Sequence, residues 1–442
     1  MSELLALGAS FHTAPIGVRE RIALSDSRAE AMLHDLAAHP EILESVVLST
    51  CNRTELYLVV SDPVEAESTV LAMLARGAGI RPTELVEAIY SFRNCDAARH
   101  LYRVAAGLDS MVIGEAEVQG QVKRAYEQAL TAKTSGPLTN KLFRAALATG
   151  KRVRTETAIA AGRYSVASVA VDLAADTLGD LADRRVLIVG AGETAELCAT
   201  ALHAKGVQTM FVANRRRDRA EALAHRFGGG TVSFDRLDAE LVQTDIVVSS
   251  TSSPHVLIGS EELAAVMGTR AGRPILLIDL AVPRDIDAAC AELPGVTLAN
   301  MDDLRAVVDR HQHVRRGEAR KAEGLVEEEI QAFAVWLGSL EVMPTVAALR
   351  GHADAVVASV LAENESRWES LGERDRERVE AVARAVANRL LHEPTLRVKQ
   401  AGPEQRHARM QVLRELFGLE EPAGAEEAPA ADVHELRPRR AG

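Results

Sequence analysis

The chain has 442 residues, 47% of them apolar and 3% aromatic, and a formal net charge of −12, so it exceeds one hydrophobic core and predicts two or three domains built mainly from aliphatic side chains. The acidic balance disfavours broad nucleic-acid binding; the N-terminal MSELLALGASFHTAP lacks the pattern of a signal peptide; and no apolar run reaches the roughly 18 to 20 residues of a membrane helix. Four scattered cysteines, none spaced as Cys-x-x-Cys, argue against a disulfide framework or a zinc site and for a reducing cytoplasm.

In chain order, the helical patterns SRAEAMLHDLAAH (27–39) and DAARHLYRVAAGL (96–108), the latter with Asp96 as candidate N-cap, accompany the β-rich runs SVVLST (45–50) and ELYLVV (55–60). The two β runs flank Cys51, which therefore falls at a strand end or tight connection. From Glu115 to Thr157 the pattern is mostly helical and includes a basic stretch, Lys141, Arg144, Lys151, Arg152 and Arg154. It reads as a solvated face or as a local site for a polyanion. Four short apolar runs follow: RVLIVG (185–190), QTMFVAN (208–214), DIVVSST (245–251) and ILLIDL (275–280). Helical stretches separate them, the pattern of a doubly wound α/β domain. After Met301 the strand signals disappear. Residues 302–340 read as one long helix ended by Pro344, and two or three helices follow as far as Phe417. Such a helix must bury its apolar stripe, either in a dimer or against the chain's own domains. The Ala-, Glu- and Pro-rich tail from Glu420 predicts disorder.

The first parallel strand runs into Gly190-Ala191-Gly192-Glu193-Thr194-Ala195 and then a helix. Gly190 permits the turn, Gly192 admits a pyrophosphate, and Ala195 allows close helix packing. The helix N-terminus offers amide donors to the phosphates. The second strand ends in Asn214-Arg215-Arg216-Arg217 with no carboxylate, which favours NADPH over NADH. Arg215 is the first candidate for the 2′-phosphate, with Arg216 and Arg217 solvated. Ser249 to Pro254 lie where a nicotinamide would, or form an ordinary polar loop.

Cys51 sits in Ser49-Thr50-Cys51-Asn52-Arg53-Thr54-Glu55, with polar neighbours and an arginine two positions on. A nearby cation lowers a thiol pKa, so Cys51 is either a nucleophile or a small packing residue. A thiolate that captures an acyl group gives a thioester, and a thioester accepts hydride. Cys95, Cys198 and Cys290 read as packing residues. His100 is a proton-transfer candidate or a satisfied histidine. The polar segment Gly107-Leu108-Asp109-Ser110-Met111-Val112-Ile113-Gly114-Glu115-Ala116-Glu117, with Gln121, suits a binding loop entering a helix.

Taken together, the motifs at 49–57, 107–115, 190–195, 214–215, 278–286 and 300–304 strongly resemble the glutamyl-tRNA reductase family, in the family's order from Leu7 to about Phe417. The resemblance implies a multidomain α/β fold. An N-terminal α+β catalytic domain (1–157) would precede a Rossmann-like NADPH domain (158–305), then a long helix and helical dimerisation domain (306–418) and a tail (419–442). It implies NADPH-dependent reduction of glutamyl-tRNA(Glu) to glutamate-1-semialdehyde, the first step of the five-carbon route to tetrapyrroles. Cys51 would be the nucleophile and His100 critical for activity. Substrate contacts would come from Thr50, Cys51, Asn52, Arg53, Ser110, Glu115, Ala116, Glu117 and Gln121. Glu117 departs from the glutamine usual in the family. Cofactor contacts fall on Gly190 to Ala195, Asn214 and Arg215. No metal is implied. A homodimer and direct product transfer to an aminomutase are the implied partnerships. Two other readings share parts of the pattern: a shikimate-type dehydrogenase, which needs no cysteine, and a non-catalytic NADP-binding assembly protein.

Overall fold

The computed structural model describes residues 2–159, 165–305, 316–340, 342–368, 371–399 and 401–419. The chain divides into two compact units between Gln331 and Ala332.

The first unit opens with β1 (Glu3–Ser10), α1 (Ile16–Ile22), α2 (Asp26–Ala37), β2 (Ile42–Ser49) and β3 (Arg53–Val60). Then come α3 (Pro63–Ala78), α4 (Pro82–Val86), β4 (Tyr90–Arg93), α5 (Asn94–Ala105), α6 (Glu117–Ala132) and α7 (Pro137–Glu156). The strands form an antiparallel sheet in the order β2-β3-β1-β4. Every residue of β3 is buried, as expected for a central strand covered on both faces. Gly8 of β1 faces Glu55 of β3. A Cβ on Gly8 would lie 2.8 Å from the Glu55 side chain, so this glycine makes room for a carboxylate inside the sheet. The candidate N-cap Asp96 is corrected: α5 begins at Asn94 with Arg93 as its cap, and Asp96 lies in the first turn, paired with Arg99.

Next, α8 (Val166–Leu178) leads into a six-stranded parallel sheet with its helices. These are β5 (Arg185–Val189), α9 (Glu193–Ala204), β6 (Thr209–Ala213), α10 (Arg217–Arg226), β7 (Gly230–Val232), α11 (Leu237–Leu241), β8 (Ile246–Ser249), α12 (Ser260–Thr269), β9 (Ile275–Asp279) and β10 (Val296–Asn300). The order β10-β9-β8-β5-β6-β7 reverses direction between β5 and β8. Ligands of doubly wound sheets bind at the carboxyl end of such a switch point. The four strands legible in the sequence are the inner four; β7 and β10 are added at the edges.

The unit closes with the N-terminal part of the long helix Arg316–Leu340. Residues 306–315 of the predicted helix, and the tail from Glu420, lie outside the described residues. Pro344 does not merely stop the helix; it sits in the first turn of the next one, Met343–Glu363, where a missing N–H costs nothing. Contrary to the sequence expectation, that helix is long and apolar enough, by length and composition alone, to cross a membrane. Arg350 and Asp354 interrupt it, which hid it as an uninterrupted run. In the second unit its Val346 and Leu349 pack with Val398, Met410 and Leu413 from helices Glu373–Lys399 and Pro403–Phe417.

Candidate active site

Cys51 occupies the turn between β2 and β3. The Thr50 amide donates to the Arg53 carbonyl at 2.8 Å, and the Thr50 hydroxyl accepts from the amides of Asn52 and Arg53, each at 3.2 Å. The side chain of Thr50 thus closes the turn by itself. Cys51 is half-buried. It packs, together with Ala191, against the apolar cluster between α8, α9 and the parallel sheet. The cysteine turn and the glycine turn therefore meet one body of side chains.

Arg53 does not serve the thiol. Its guanidinium is buried, donates to Glu55 at 2.5 Å and to the Asp109 carboxylate at 3.0 Å, and also bonds the Asp109 carbonyl. The sequence expectation that Arg53 lowers the Cys51 pKa is corrected accordingly. Burial pushes the thiol up to about 12, and the carboxylates of Glu115 and Glu117 add to this. The opposing cation is Arg19 of α1, whose guanidinium donates to the Cys51 carbonyl at 3.0 Å.

Glu55 draws four side chains together. It is fully buried and accepts from Arg53, from the Tyr57 hydroxyl at 2.6 Å and from the Tyr90 hydroxyl. Nε2 of His100 lies 2.8 Å from it. Burial alone would raise this carboxyl, but Arg53 and His100 hold it well below the usual carboxylate range. His100 is thereby joined to the cysteine turn through two residues of β3. The loop at 107–116 is tied in through Asp109, and its Ser110 and Glu115 are both buried. Ala116 is exposed and caps α6; Glu117 and Gln121 lie half-buried in its first turns. Burial, then the neighbouring acids, raise Glu115 to about 8 and Glu117 to about 7. A cleft of about 440 Å³ beside this helix is lined by Leu24, Ser49, Gln121 and Arg124 among others.

At the parallel sheet, Gly190 has φ +114°, and a Cβ there would stand 2.8 Å from the Ser250 carbonyl oxygen. Open space surrounds Gly192, the N-cap of α9, and Ala195 is fully buried. A cleft of about 400 Å³ is lined by Ala191, Gly192, Glu193, Arg219 and Arg226. This cradle fits a dinucleotide: glycines where a backbone must come close, amides at a helix start, and cations at the rim. Thr194 lies partly buried within the first turn. Asn214 donates to the Arg216 carbonyl at 2.9 Å. Arg216 pairs with Asp218 and Arg217 with Glu221, while Arg215 is exposed and without an ion pair among the described residues. At the end of β8, Asp285 accepts from Ser249 at 2.6 Å and from both the amide and hydroxyl of Thr251.

Sequence reasoning missed Arg19 and Tyr90, and gave no role of their own to Glu55, Asp109 and Asp285, which lie within the motifs it singled out. For Glu55 a signal existed: Arg53, Glu55 and Tyr57 alternate along β3, so three polar groups share one face of an otherwise apolar strand. Arg19 and Asp285 act across 32 and 36 positions, and no local pattern marks them. The basic stretch on α7 is divided by the fold. Arg152 pairs with Glu156 and with Glu328 and Glu329 of the long helix, and Arg154 is half-buried against α5. Lys141, Arg144 and Lys151 remain on one exposed face.

A dinucleotide cradle and a turn-borne cysteine packed against one apolar cluster define a multidomain oxidoreductase of the dehydrogenase type. Comparison with known proteins narrows the class. Residues 7–157 match the family model "Glutamyl-tRNAGlu reductase, N-terminal domain", residues 172–307 match "Shikimate / quinate 5-dehydrogenase", and residues 321–419 match "Glutamyl-tRNAGlu reductase, dimerisation domain". The glutamyl-tRNA reductase of Pelotomaculum thermopropionicum is 39% identical over 95% of this chain and 95% of its own. That of Geotalea uraniireducens is 40% identical over 94% and 96%. A solved structure of the Methanopyrus kandleri enzyme is 32% identical, covering 94% of this chain and 99% of its own, with a TM-score of 0.49. The chain belongs to the glutamyl-tRNA reductase family. The shikimate-type reading is thereby confined to the middle domain.

Proposed function

We propose that this chain reduces glutamyl-tRNA(Glu) to glutamate-1-semialdehyde, the entry step of the five-carbon route to tetrapyrroles, through a thioester on Cys51 with NADPH as reductant. The observation that carries the proposal is the shared cluster beneath Cys51 and Ala191, which would leave an acyl group on the sulfur beside the nucleotide cradle. The Cys51 thiolate attacks the α-carbonyl of the esterified glutamate, the tRNA 3′ oxygen leaves, and a thioester remains. NADPH, when bound, supplies the hydride that yields the aldehyde and returns the thiolate. Thr50, Asn52, Ser110, Glu115, Glu117 and Gln121 offer the polar groups that orient the glutamyl end. Arg53 is consumed by Glu55 and Asp109, so its part is to hold the 107–116 loop and the turn together. His100, held by Glu55, is the candidate group for proton exchange. Arg215 takes the 2′-phosphate.

The division at 157, 305 and 418, a homodimer through the C-terminal helices, a cytoplasmic location and direct product transfer to an aminomutase complete the proposal. Four free cysteines are consistent with a reducing compartment. Replacing Cys51 by Ser tests the route: aldehyde formation from charged tRNA is lost while NADPH still binds. Near-normal aldehyde from that variant rejects the thioester.

A further inference from the structure

Arg19 is 2% exposed, and every arm of its guanidinium is engaged. Nε donates to the Ala14 carbonyl at 3.2 Å, one Nη to the Cys51 carbonyl at 3.0 Å and to the Asn52 side-chain oxygen at 3.4 Å, and the other Nη to Asp302. Asp302 belongs to the other side of the site. It follows β10 of the parallel sheet, and its amide is held by the Asn300 side chain at 2.8 Å. One turn of helix thus ties the cysteine turn to the nucleotide domain. The neighbouring Glu20 repeats the link by a two-point ion pair to Arg284, at 2.9 and 2.8 Å.

We propose that Arg19 is a positioning residue for the Cys51 chemistry: it clamps the Cys51 and Asn52 turn to Asp302, fixing the sulfur at the junction of the two domains while placing a permanent positive charge beside it. A guanidinium suits this role because its planar fork reaches several acceptors at once and cannot lose its proton. Burying that charge for packing alone would be costly; here its partners are the backbone of the reacting residue and a carboxylate from the opposite domain. Among the described residues, the carboxylates of Glu115 and Glu117 oppose the thiol's ionisation and Arg19 favours it. Arg53, two residues away, is occupied elsewhere.

The inference rests on Cys51 as nucleophile, but its first test does not need turnover. The rate of Cys51 alkylation by iodoacetamide is followed against pH in the full-length protein, with the other three cysteines replaced by alanine. Arg19→Gln should slow alkylation at pH 8 about tenfold, because one pH unit in the thiol's ionisation is a tenfold change in thiolate. Arg19→Lys, which keeps charge but not the fork, should recover most of it. A folded Arg19→Gln protein with an unchanged pH profile overturns the proposal. Asp302 is 42% exposed, so Asp302→Asn provides a variant with little risk to folding. It should still accept glutamate from charged tRNA onto Cys51 without NADPH, yet reduce the adduct at least tenfold more slowly when NADPH is added. Normal reduction by Asp302→Asn also overturns the proposal. If Cys51→Ser retains activity while Arg19→Gln still shifts alkylation, the thioester reading fails and the electrostatic role of Arg19 stands.

Discussion

Glu115 and Glu117 oppose the ionisation of the Cys51 thiol. Both carboxyls bind protons more tightly when folded, titrating near 8 and 7 instead of 4.5. Their contribution to stability is therefore complete below about pH 4.5 and is lost as pH rises through those values. Glu115→Gln should raise the melting temperature at pH 8.5 by at least ~2 °C and change it little at pH 4.5, as thermal scans across pH would record. Glu117→Gln should speed Cys51 alkylation at pH 8 and lose that advantage at pH 5, where the wild-type carboxyl is already neutral. An equal effect at both pH values would contradict this. The position of Cys51 in a tight connection was legible in the sequence because two β-rich runs flank it, and it lies between β2 and β3. The cation that serves it was not legible. Arg53 is near in sequence but turned to Glu55, whereas Arg19 is distant in sequence and hydrogen-bonded to the Cys51 backbone.

Among the elements, the succession of strand, glycine turn and helix expected from the sequence is present at β5 and α9. Its first glycine is the least replaceable: with φ +114° and the Ser250 carbonyl close by, Gly190→Ala should abolish NADPH binding measured by fluorescence or calorimetry. Retained affinity would sink the assignment. Arg215, without an ion pair among the described residues beside two paired arginines, should set cofactor choice. Arg215→Ser is expected to weaken NADPH tenfold or more while sparing NADH, since only the former carries the 2′-phosphate. The strands β5, β6, β8 and β9 announced themselves as continuous aliphatic runs because both of their faces are covered. By contrast β7 is three residues long and β10 is largely half-exposed, so neither had the composition of a buried strand. The α7 stretch looked like one basic patch only because acids of the long helix, 176 and 177 positions away, cannot be seen beside it in sequence. Reversing Lys141 and Arg144 to glutamate should weaken tRNA binding and flatten its salt dependence. Arg152→Glu should act on the packing of the long helix.

For the molecule as a whole, the two successive helices Met343–Glu363 and Glu373–Lys399 leave Val356, Val360, Val382, Val386 and Leu390 exposed, in the region that matches the family's dimerisation domain. The sequence expectation of an apolar stripe to be buried, in a dimer or against the chain's own domains, concerned the long helix at 302–340 and not these later faces. An aspartate at Val386 and at Leu390 should shift the protein from dimer to monomer in light scattering. The central claim is that glutamate passes through the Cys51 sulfur before any hydride moves. Charged glutamyl-tRNA should be mixed with the protein in the absence of NADPH, and the peptides examined by mass spectrometry. The account predicts a glutamyl adduct on the peptide bearing Cys51, discharged as aldehyde when NADPH is added and absent from Cys51→Ser. Aldehyde formation with no adduct on Cys51, or with the adduct on another residue, would contradict it.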